Sequence, residues 1–144
     1  MIFPNSRSIL ITPALKVDLY NKGDSCEADL FVIDFEDSIH LSQKIEARQV
    51  FLKNMHLITR TKGYSFRINS LNSVDGIRDI LFLTDNVINV HYLMVSKVTT
   101  GLELSMIKEV FISAGMRTPK LISLIENSGA IINLDYIAKN RSLS

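Results

Sequence analysis

Cysteine is almost missing from this chain: Cys26 is the single one in 144 residues. One thiol cannot build an internal disulfide framework and suits a reducing compartment, so its expected role is packing. Charge of one sign is not in excess either, with sixteen Lys and Arg against fifteen Asp and Glu and a formal charge of +1. That balance, with the basic residues scattered rather than striped, argues against nucleic acid or anionic lipid as a partner. No apolar run approaches the roughly 20 residues of a membrane-spanning helix, so no membrane partner is expected. The opening stretch MIFPNSRSILITPALK places Pro4 and Asn5 ahead of its only arginine, Arg7, and lacks a small-residue cleavage site. It makes a poor signal peptide, and a cytoplasmic protein is expected. A nucleotide-binding glycine motif and a readable Ser-His-Asp order are also missing.

What is present is an ordinary globular balance, 47% hydrophobic and 22% charged, for which one domain over residues 1–144 is expected. The stretch Ala28 to Asp37, ADLFVIDFED, organises the reading. Leu30 to Ile33 form a short continuous apolar run, as in a strand covered on both faces of a parallel sheet. Asp34, Glu36 and Asp37 follow where such a strand would leave the core. In parallel α/β architectures the loops after the strands build the site, so these acids are candidates for chemistry. Any one of them taken alone reads more readily as a cap of the next helix; three within four positions favour the site.

Apolar runs and helical stretches alternate along the rest. Ser8 to Thr12 reads as a first strand halted by Pro13. Ala14 to Lys22 reads as a short helix, and Gly23, Asp24 and Ser25 as a turn. After the second strand, Leu41, Ile45, Ala47, Phe51, Leu52 and Met55 make a helical stripe that Ser38 or Ser42 could cap. Tyr64 to Ile68 is a third strand, Val74 to Leu83 a helix, and His91 to Val95 a fourth strand. Leu102 to Ala114 is a helix stopped by Gly115. Lys120 to Ile125 is a fifth strand, and a last helix spans Ala130 to Lys139. Five strand-helix alternations imply a parallel sheet with helices packed on it. The polar residues at the strand ends, namely Asp34, Glu36, Asp37, Arg67, Asn69, Lys97 and Glu126, then converge on one rim. Such a rim could hold a metal ion and an anionic substrate together.

Several segments in order resemble the amino-terminal part of the citrate lyase beta-subunit and HpcH/HpaI aldolase family. They are RSILITPA at Arg7 to Ala14, DFEDSI with Lys44, Ala47 and Arg48, RIN at Arg67 to Asn69, and GIRDI around Gly76 and Asp79. SKV at Ser96 to Val98 and LISLIEN followed by GAIINLDYIA complete the set. The resemblance implies an incomplete (β/α)8 TIM-type barrel, about five βα units with parallel strands. It also implies a magnesium-dependent carbon-carbon bond lyase acting on a hydroxy-acid acyl thioester, citryl- or malyl-like. Carried over by position, Glu126 matches a metal carboxylate, Arg67 the arginine that grips the substrate's carboxylate, and Glu36 and Asp37 the acids beside metal-bound water. Mg2+ is the implied cofactor. The implied partners are a thioester linked to coenzyme A or a carrier protein, or a small 2-oxo acid.

Two departures from the family pattern stand out: Ser96 replaces a proline before Lys97, and the family's other metal carboxylate would lie beyond Ser144. A complete barrel needs about 250 residues. The expectation is therefore a truncated or split member that forms a homo-oligomer, or associates with a chain supplying the missing strands. The alternative is a non-catalytic remnant or partner subunit. An open flavodoxin-like sheet fits the length, but Pro13, Arg67 and Glu126 stand near the tips where a phosphate-accepting domain needs an acid pair, an aspartate and a lysine. His40, His56 and His91 have no ligand-like spacing. Lys97 reads as an anion contact or a solvated lysine, Arg7 as a phosphate contact or a terminal tie, and Asp79 as helix packing or capping.

Overall fold

The computed structural model describes residues 7–59 and 63–139; the leader reading of the first six residues lies outside this range. Five strands, β1 (Ile9–Pro13), β2 (Leu30–Asp34), β3 (Tyr64–Ile68), β4 (Val90–Val95) and β5 (Lys120–Ser123), form one sheet in the order β1-β2-β3-β4-β5. Every neighbouring pair is parallel. Helices make the crossovers: α1 (Tyr20–Ser25), α2 (Lys44–Asn54), α3 (Val74–Asp85) and α4 (Gly101–Ser113), with α5 (Ser128–Ile132) and α6 (Leu134–Lys139) after the last strand.

Side-chain alternation along the strands separates two faces. Phe31, Ile33, Phe66, Ile68, Leu93 and Val95 join Ala47, Phe51, Ile80, Leu83, Leu104, Ile107 and Phe111 from the helices in the main core. Leu30, Val32 and Tyr92, with Ile122 against them, make a separate small cluster on the opposite face. All helices that supply the main core therefore cover one face of the sheet, as in an arc of barrel wall. The barrel is incomplete: among the described residues β1 and β5 each pair on one side only. At that open edge Ile9 and Ile11 are 42% and 38% exposed.

The first helix departs from the sequence reading. It begins with a 3-10 turn at Val17–Leu19 and continues through Gly23, Asp24 and Ser25, the residues expected to turn. Tyr20 anchors it, fully buried, its hydroxyl donating to the Ala14 carbonyl at 2.5 Å. Gly23 is there for space: a Cβ at this position would come within 2.1 Å of the Phe31 ring. Gly23→Ala is expected to lower stability by about 1–3 kcal/mol, as for overpacking elsewhere, read as a shift in urea midpoint. Gly115, by contrast, ends α4 as expected, at φ 69°.

Neither expected serine caps α2. Ser38 turns back to Asp34, and the His40 side chain accepts the Ser42 N–H at the start of a 3-10 turn, Leu41–Gln43, that leads into the helix. The last helix is broken in two at Asn133, whose amide donates to the Thr99 and Gly129 carbonyls. These bonds compete with a continuous helical ladder. No helix among the described residues is long and apolar enough to cross a membrane.

Candidate active site

Parallel pairing brings the polar strand ends to one rim, and register decides which of them touch. Asp34 ends β2 directly beside Arg67 of β3. The carboxylate is wholly buried, and Arg67 meets it with two prongs, Nε at 2.8 Å and Nη2 at 2.6 Å. Asp34 also accepts the Glu36 N–H at 2.9 Å, the Ser38 N–H at 3.1 Å and the Ser38 hydroxyl at 2.5 Å. Burial works against its charged form, but Arg67, Ser38 and the Glu36 amide outweigh burial and hold its pKa below the usual carboxylate range. Asp34 is thus the clamp that shapes the loop carrying the other two acids.

A second set of bonds fixes that loop from behind. Lys44, buried at the start of α2, donates to the Phe35 carbonyl at 2.8 Å and the Glu36 carbonyl at 2.6 Å. Burial lowers its pKa, against the pull of the nearby acids. Asn69, just past β3, donates to the same Phe35 carbonyl at 2.9 Å and to Asp79 at 2.7 Å. Asp79 accepts the Asn69 backbone N–H at 2.9 Å and Nε of Arg48 at 2.8 Å, while Arg48 reaches Asp75 at 2.8 Å. Burial pushes the Asp79 carboxyl above the usual range, opposed by Asn69 and Arg48.

Glu36, held on this support, is 3% exposed, and neither of its carboxylate oxygens accepts a hydrogen bond from the described residues. Ion pairs alone hold it: Lys97 Nζ lies 2.8 Å from Oε1 and Arg67 Nη1 lies 3.5 Å from Oε2. The same two cations face the half-exposed Asp37, at 3.5 Å and 3.9 Å. The Glu36 carboxylate is the largest of the influences that hold the Lys97 pKa above its ordinary value. Lys97 takes a left-handed backbone, φ 55°, immediately beyond β4. Such a conformation is strained for a residue with a Cβ and is found at functional turns.

A cleft of about 340 Å³ opens over this arrangement, lined by Glu36, Asp37, Ile39, His40, Leu41, Lys44, Asn69 and Lys97. Of the residues expected from the sequence, Glu36, Asp37 and Arg67 come together. Glu126 stands on the same rim, just beyond β5, exposed and outside the lining of the cleft. Among the described residues no three His, Cys, Asp or Glu side chains converge as a metal-binding group. The sequence reading missed the clamp made by Asp34, the loop ties made by Lys44 and Asn69, and the part played by Lys97. Lys44 was visible only as a letter in the matched segments, and Asn69 as a polar residue at the end of the third strand. Nothing in their spacing shows that both reach the Phe35 carbonyl.

The chain has counterparts among known proteins. The sequence profile of the HpcH/HpaI aldolase/citrate lyase family matches residues 7–144. The chain belongs to that family. An L-malyl-CoA/beta-methylmalyl-CoA lyase of Rhodobacter capsulatus is 28% identical over 140 residues, 92% of this chain and 44% of that enzyme. RipC of Yersinia pestis is also 28% identical, with a TM-score of 0.72 over 94% of this chain and 54% of that one. The citrate lyase beta subunit of Mycobacterium tuberculosis, solved with oxaloacetate and magnesium, shares the fold at a TM-score of 0.73 and 19% identity over 95% of this chain and 55% of its own. This family member spans about half the length of these relatives.

Proposed function

We propose that this family member carries the substrate-gripping half of a lyase centre that makes or breaks a carbon-carbon bond in a hydroxy-acid acyl thioester. The observation that carries this reading is the meeting of Arg67 and Lys97 with Glu36 and Asp37 at the carboxyl ends of parallel strands, where Glu36, Asp37 and Lys97 line the cleft. The relatives support this substrate class: the Rhodobacter enzyme is named for malyl-CoA, and the Mycobacterium subunit was solved with oxaloacetate. The thiol of the acyl group would belong to coenzyme A or a carrier protein, in a cytoplasmic setting.

The residues present suit magnesium. It takes oxygen ligands and uses only one or two protein carboxylates, leaving the rest to water and substrate. Glu36 provides a buried carboxylate held by ion pairs to Lys97 and Arg67, to which metal-bound water would donate. Glu126 would hold the ion directly, with Glu36 and Asp37 orienting its water. When bound, magnesium supplies Lewis-acid stabilisation of the negative charge that develops as the bond breaks. Arg67 Nη1 takes no part in the two bonds to Asp34 and holds only long ion pairs to Glu36 and Asp37, so it is the nitrogen that would meet a substrate carboxylate. Asp34 keeps that arginine from rotating, and Lys44 with Asn69 keeps the acidic loop at a fixed height.

Calorimetric titration of magnesium with oxaloacetate or pyruvate tests the reading. Saturable binding is expected, weakened by an order of magnitude or more in Glu126→Gln. No binding, or binding unchanged in that variant, would count against it. The one-sided pairing of β1 and β5 favours a second reading, a non-catalytic partner subunit or remnant that associates with itself or with a chain supplying further strands. Copurification with such a chain supports it, and lyase turnover by the 144-residue chain alone excludes it.

A further inference from the structure

Two cations serve the buried Glu36 carboxylate, and they differ in freedom. Arg67 cannot leave: two of its nitrogens are committed to the fully buried Asp34, at 2.6 Å and 2.8 Å, and its side chain is only 17% exposed. Lys97 is 53% exposed and sits 2.8 Å from Glu36 Oε1 at the end of a flexible stem. Its ammonium can return to water at little cost, whereas Glu36 cannot follow it, being 3% exposed on a loop tied down by Lys44 and Asn69. A buried carboxylate must keep a counter-charge. Arg67 stays 3.5 Å from Oε2, so loss of Lys97 uncovers Oε1, 2.8 Å from the ammonium, and a positive group that carries donors suits the vacated place.

We infer that Lys97 is a displaceable counter-ion: it neutralises Glu36 in the cation-free protein and yields its place when a hydrated divalent cation enters the cleft. This rests on the metal reading above and adds a competition to it. The ammonium and the hydrated cation cannot both satisfy the same Glu36 oxygen, so Lys97 lowers the affinity of the site for the ion.

Binding of Mn2+ alone, followed by water-proton relaxation, tests the inference without reference to turnover. Lys97→Met removes the ammonium and keeps the stem. Lys97→Gly removes both and accepts φ 55° without strain, so it guards against a folding failure of the first variant. Both are expected to bind Mn2+ about tenfold more tightly than the wild type, the scale set by removing one half-solvated charge a few ångströms away. Mn2+ binding that is unchanged or weaker in both variants, with the wild type still binding, overturns the counter-ion role and leaves the metal reading standing. Binding that appears only in the variants supports the role. Absence of binding in all three proteins overturns the role and the metal reading together.

Discussion

Arg48→Met is expected to destabilise the fold by about 3–5 kcal/mol, because it strips a buried carboxylate of its counter-charge. Arg48 joins α2 to α3 with Nε on Asp79 and Nη2 on Asp75, both at 2.8 Å, and Asp79 has no exposed surface. Methionine replaces the volume of the stem but none of the charge. With a total stability of about 5–15 kcal/mol for a typical domain, such a loss should leave the urea transition early or absent. Two companions identify the cause. Asp79→Leu added to Arg48→Met should recover part of the loss, since removing both partners spares the unpaired charge. Arg48→Lys should be intermediate, because a point charge cannot span both aspartates as the planar fork does. A single Arg48→Met variant as stable as wild type would show that the network is incidental.

The second large effect belongs to Arg67→Met, and it carries a pH signature. In the wild type the Asp34 pKa is held below its unfolded value of about 3.9. A carboxyl with a depressed folded pKa contributes stability above the unfolded pKa and loses it as pH falls through the folded one. Removing Arg67 deletes the bidentate partner while Asp34 stays buried, so its pKa rises. At pH 7 the variant should be destabilised by about 3–5 kcal/mol. The deficit should shrink as pH falls through the variant's raised Asp34 pKa and close only below the depressed wild-type one, where Asp34 is protonated in both proteins. Urea midpoints across pH 3 to 7 would show the two curves converging in acid; parallel curves would refute the assigned role of the pair. Because Arg67 also faces Glu36 and Asp37, the variant should lose 2-oxo acid binding at any pH where it remains folded.

Much of the architecture could be read before any coordinates. The runs LFVI and YLMV are continuous in apolar residues, as suits a strand buried on both faces. Their alternation with helical stretches left a parallel sheet as the economical arrangement. The errors fall where tertiary contact overrides local preference. Gly23 reads as a turn residue until the Phe31 ring is seen occupying the space of its missing Cβ. Ser38 reads as a helix cap until Asp34 is found turned toward it. Asn133 lies inside a helical pattern, and only the nearby Thr99 carbonyl explains why the helix breaks there.

By itself the sequence determined that strands alternate with helices, hence that the sheet is parallel and at which end Glu36, Asp37, Arg67, Lys97 and Glu126 would be found, because each segment carries its own apolar pattern and a helical crossover returns the chain in the same direction. The tertiary structure alone decided which acid is the buried clamp and which is left with ion pairs only. Asp34 and Arg67 are 33 residues apart, and their contact depends on the register between two strands. Register, burial and the left-handed turn at Lys97 arise when the whole sheet closes on its helices, and no single segment contains them.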